Sequence, residues 1–154
     1  VHLAVTAALM AIAHLAGNGL EASAYVLWWR AHGARLPWGW FFVALVALSL
    51  VDRCAAALAD AARRAPALAS WLAPLVGPEL LRARVFRVEP GAWAAFGGLG
   101  LLALARIGAT AWLQAALTGR RLREALAVTT LAWLGTRVAL WWIVDLVRGW
   151  SPLP

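Results

Sequence analysis

The stretch HLAGNGLEASAY, residues 14–25, lies inside an apolar run that extends from about Leu3 to Trp29. Its composition is that of a membrane-crossing helix, yet His14, Asn18 and Glu21 are side chains that hydrocarbon does not tolerate unpaired. At about 100° per residue, His14, Asn18, Glu21 and Tyr25 share an arc of roughly 60° on one helix face. A stripe of that kind must face other helices or a wet cavity, so the reading calls for a bundle rather than a lone anchor. Gly17 and Gly19 beside it would let another backbone come close.

The rest of the chain supplies such a bundle. Of its 154 residues 64% are hydrophobic, against roughly 45–50% in soluble domains, and the mean hydropathy is +0.75. Four windows approach the roughly 20 apolar residues that a crossing of about 30 Å needs. The expectation is an all-α, polytopic integral membrane protein, one transmembrane domain over residues 1–154. Its four transmembrane helices form two antiparallel hairpins, 3–62 and 92–148. In the first, the turn RAHGARLP offers Gly33 for a positive φ and Pro37 for the next helix's first turn. In the second, Gly119 ends one helix and Glu124 places negative charge at the start of the next. The initial segment lacks the basic leader and cleavage site of a signal peptide and reads as a helix of the protein itself.

Residues 63–91 join the hairpins and are broken by Pro66, Pro74, Pro78 and Pro90. The expectation there is an interfacial segment, with ELLRARVFRV as a short helix whose arginine stems lie on apolar surface. A re-entrant SWLAPLVG element is the alternative. All 14 basic residues are arginine, a usage that points to a GC-rich bacterial genome and hence to a bacterial inner membrane. They fall in short clusters between apolar runs, where attraction to lipid headgroups explains the net charge of +7 better than nucleic acid does. Arginines divide evenly between the short turns and the central connection, so charge alone does not orient the chain.

Each remaining span carries candidates for the stripe on the first helix. The second has Ser49, Asp52 and Arg53; the third has Arg106, Thr110 and Gln114 at successive steps of four; the fourth has Thr130, Trp133, Arg137 and Trp141. Counted from the short turns, Asp52, Arg106 and Arg137 lie roughly 20–23 Å deep, with His14 and Asn18 close to that level and Glu21 somewhat shallower. The expected pairs are Arg106 with Glu21 and Arg137 with Asp52. Two uses of this layer stay open: buried glue between helices, or a path for protons, ions or an anionic solute. Asp145, three residues before Arg148, reads as a local ion pair.

Catalytic patterns are scarce. The chain has no HExxH, no GxSxG and no phosphate-binding glycine loop ending in lysine. The glycines of GGLGLLALARIGA, residues 97–109, read as close-packing positions within a span. The lone Cys54 excludes an internal disulfide and reads as a small buried thiol. No cofactor is expected, with haem or pigment ligation by His14 as the alternative; His32 reads as a solvent-exposed turn residue. Trp28, Trp29, Trp38, Trp40, Trp141 and Trp142 read as interfacial anchors, whereas Trp112 and Trp133 are deep enough to pack on buried arginines. The functional expectation is a non-catalytic membrane subunit or scaffold, partnered by lipids and by other membrane subunits or further copies of itself. A small transporter or ion conductor is the alternative, and a membrane-embedded enzyme the third reading.

Overall fold

The computed structural model describes residues 2–77 and 100–149, and among them every regular element is helical. Helix α1 spans His2–Ala31, α2 Trp38–Arg64, α3 Ala69–Val76, α4 Leu101–Thr118 and α5 Leu122–Gly149, with a 3₁₀ turn at Pro66–Leu68 ahead of α3. Two of them, α2 over Trp38–Ala62 and α4 over Leu101–Thr118, are long and apolar enough to cross a bilayer.

The breaks between helices follow from local chemistry. At the end of α1, Gly33 takes φ +73°, and the amides of His32 and Ala34 close onto the Trp29 carbonyl at 3.1 and 2.8 Å. Pro37, extended at φ −71°, then precedes α2 and accepts the amide of Phe41 at 3.0 Å. Gly119, left-handed at φ +67°, closes α4 through its amide on the Ala115 carbonyl, as a C-terminal glycine cap does.

Residues 70–77 of the connection largely fold as α3, which is helical despite Pro74 within it. It buries Val76 against Ala59 and Ala62 of α2. Gly100, just ahead of α4, comes so near the backbone at Leu75 and Gly77 that a Cβ there would overlap both. The expected interfacial helix at 79–88, and residues 92–99 of the third span, lie outside the described residues.

The principal core sits at the end of the bundle where α1 turns into α2. Ala22, Tyr25 and Trp29 meet Phe41 and Leu45 of α2, Ala111 of α4 and Ala125 of α5. A smaller cluster joins Ala103 and Ile107 of α4 to Trp133 of α5. Large apolar side chains face outward on all four long helices, among them Leu20, Leu27, Trp40, Val43, Trp112, Leu131 and Trp142. Two expectations give way here. Cys54 is exposed, because it stands about 200° around α2 from Asp52 and so points away from α1 and α4. The space beside Gly17 is open, and a Cβ at Gly19 would meet only the Phe42 ring at 3.8 Å, so neither glycine mediates a backbone contact.

Candidate functional site

One guanidinium joins three helices. From α4, Arg106 donates through Nη2 to Glu21 Oε2 of α1 at 2.9 Å and through Nη1 to Asp52 Oδ2 of α2. The flat fork of arginine makes this possible, since its donors diverge in one plane and can serve two carboxylates at once. Equal depth along the helices would pair Asp52 with Arg137; the side chain of Arg137 lies outside the described residues. Arg53, next to Asp52 on α2, is exposed, being rotated about 100° from it.

The charged node is not sealed. Arg106 is 13% exposed, Glu21 27% and Asp52 38%. Yet Asp52 lies on the face of α2 that carries the fully buried Leu45 and Ala59. The node is therefore open on a face of α2 that elsewhere turns into the bundle.

One to two turns away, a second polar group links α1 to α2. His14 Nε2 lies 2.8 Å from Ser49 Oγ, and the Ser49 hydroxyl donates to the Val46 carbonyl at 2.6 Å. With its proton committed there, Ser49 Oγ accepts from His14, which places the proton of a neutral imidazole on Nε2. Asn18 Nδ2 donates to the His14 carbonyl at 2.8 Å. Its 3.3 Å approach to Nε2 then brings two donors together and is not a hydrogen bond. A serine and histidine at this distance resemble a nucleophile and its base. Ser49 is buried in the middle of α2, where backbone amides are held by helical bonds and cannot serve a developing oxyanion. Ligation of a haem or pigment by His14 would have to use Nδ1 or break the Ser49 bond. Among the described residues no three His, Cys, Asp or Glu side chains gather to hold a metal.

The third group is neutral and fully enclosed. Trp29 Nε1 donates to Gln114 Oε1 at 2.6 Å, Gln114 Nε2 donates to Thr129 Oγ1 at 2.8 Å, and Thr129 donates to the Ala125 carbonyl at 2.8 Å. These contacts tie α1, α4 and α5. Tyr25, between this group and the charged node, packs edge-on against Phe41 at 5.6 Å.

Trp29 was expected among the interfacial anchors and is instead buried, since it stands one turn beyond Tyr25 on the face that carries the polar stripe. Thr130 is the expected polar residue of α5, but one residue rotates a helical side chain by about 100°, and it is Thr129 that faces the core. Trp28, Trp38, Trp40 and Trp142 are exposed, and the Trp141 side chain lies outside the described residues. Trp112 faces outward and Trp133 packs on Ala103 and Ile107. His32 is exposed, its ring stacked on Trp28 at 4.5 Å. Comparison with known protein families, curated proteins and solved structures finds no match.

Proposed function

We propose that this chain is a multi-pass subunit of a larger membrane assembly, crossing the bilayer four times as two antiparallel hairpins. Its role is to hold and present helices, not to perform chemistry. In length, α1 with 30 residues and α5 with 28 would reach about 45 and 42 Å, more than the roughly 30 Å hydrocarbon core. The outward leucines and tryptophans suit a lipid surrounding. The two short turns meet, with Arg120 Nη2 donating to the His32 carbonyl at 2.6 Å, as two hairpins with both turns on one side require. An inner membrane of a bacterium is the setting that the arginine-only basic residues favour.

The observation that carries the assembly reading is the opening at Glu21 and Asp52. Carboxylates at mid-depth are too costly to leave against lipid chains, so the opening is closed by a polypeptide from another subunit or a second copy. The alternative, a water-filled path for protons or cations, draws on the ladder Tyr25, Glu21, Asn18 and His14 along α1. Purification in a mild detergent followed by native mass spectrometry tests the choice. The assembly reading expects stable complexes of defined mass. A chain that purifies alone and moves protons or ions in liposomes would overturn it.

A further inference from the structure

The end of the bundle where the turns meet carries its own chemistry. A groove of about 500 Å³ opens there, walled by Val26, Ala34, Leu36 and Pro37 on its apolar side and by Arg30 and Arg35 on its charged side. Both arginines are exposed, and among the described residues neither guanidinium has an ion-pair or hydrogen-bond partner. Arg120 differs from them, its guanidinium being held on the His32 carbonyl, where it braces the turn beside the groove. Leu36 and Ala34 are themselves buried in the principal core, so the walls are anchored rather than free to close.

We propose that this groove binds an anionic phospholipid, with Arg30 and Arg35 on the headgroup phosphate and an acyl chain lying along Val26. The inference rests on the membrane reading, with this end of the bundle at headgroup level. Two unpaired guanidiniums call for a ligand of net negative charge, and their planar forks match phosphate oxygens in pairs. The apolar wall distinguishes the ligand from a soluble anion: Val26 is half-buried in the groove and its neighbour Leu27 faces outward, so an acyl chain leaving the groove meets apolar side chains. The exposed rings of Trp28, Trp38 and Trp40 flank the same end, and indoles prefer the headgroup layer.

The test uses the full chain, delipidated in detergent and titrated with phosphatidylglycerol or with phosphatidylcholine of the same acyl chains, bound lipid being counted by native mass spectrometry. The wild type is expected to retain phosphatidylglycerol preferentially. The double variant Arg30→Gln with Arg35→Gln should weaken that retention by about tenfold or more. Arg121→Gln with Arg123→Gln removes the same charge from the same end outside the groove and should have a much smaller effect. Equal losses in the two pairs would mean diffuse attraction and overturn the site, as would displacement of the lipid by millimolar inorganic phosphate. Carbonate washing of membranes separates this failure from a failure of the membrane reading. A protein that stays in the membrane but shows no phosphatidylglycerol preference sinks the lipid site alone, whereas release into the wash sinks the membrane reading with it.

Discussion

The Trp29–Gln114–Thr129 group and the Glu21–Arg106–Asp52 group each join three helices, and they do so in opposite ways. The first is neutral, wholly buried and complete: each amide, hydroxyl or indole donor has its acceptor within the bundle. The second is charged and partly open, with two carboxylates sharing one guanidinium. Completeness makes a good fastening, since satisfied buried polar groups hold helices in one register at little cost. An open, charged group is a poor fastening for a bundle standing alone in lipid. It makes sense where something else is meant to meet it.

Removing the shared cation should have the largest consequence. Arg106→Gln strands two carboxylates; breaking a fully buried pair costs about 3–5 kcal/mol in soluble proteins, and the partial exposure of Glu21 and Asp52 reduces this to about 2 kcal/mol. Thermal unfolding in nanodiscs should show a loss of that order, together with loss of any co-purifying subunits. Neutralising all three positions at once, Glu21→Gln, Asp52→Asn and Arg106→Gln, should restore much of the stability because no charge remains uncompensated. If the single and triple variants unfold alike, the interaction is not electrostatic and the contrast between the two groups loses its basis.

A middle-sized effect belongs to the neutral group. Gln114→Leu leaves the Trp29 indole N–H without its acceptor in a closed site, which costs about 1–3 kcal/mol. Trp29→Phe removes the stranded N–H but leaves part of a buried ring's volume empty, so in a double-mutant cycle the two changes together should cost less than the sum of each alone. Ser49→Ala should be milder, about 1 kcal/mol or less, the usual worth of a hydrogen bond between membrane helices. Smallest of all, Arg53→Gln should change stability by no more than about 0.5 kcal/mol, although it removes a guanidinium one residue from Asp52. A large effect there would show that depth alone, and not the pairing geometry, sets sensitivity.

Much of the helical layout is legible in the sequence because two strong signals mark it: apolar runs of spanning length, and Gly33, Pro37 and Gly119 where the backbone must leave a helix. The polar stripe on α1 is legible for the same reason, since a period of 3.6 can be read from four residues. What the sequence conceals is rotation about each helix and the choice among neighbours. Thr129 and Thr130 are chemically alike and differ only in which way they point. Trp28 and Trp29 both read as anchors, yet one is exposed and the other enters the core. Asp52 had two arginines at its depth, and nothing in a linear chain says that one guanidinium would serve two acids. Cys54 was misjudged as buried because small apolar neighbours mark a membrane helix without saying which face meets the bundle.

In the proposed assembly, polypeptide rather than lipid or water closes the opening beside Asp52. A photo-crosslinking amino acid placed at Ala56, one turn from Asp52 on the same face of α2, tests it in native membranes, with the outward-facing Leu50 as the reference. A protein adduct of higher mass is expected from position 56, and only lipid adducts from position 50. Lipid or water adducts alone from position 56, in cells that express the chain at its normal level, would contradict it.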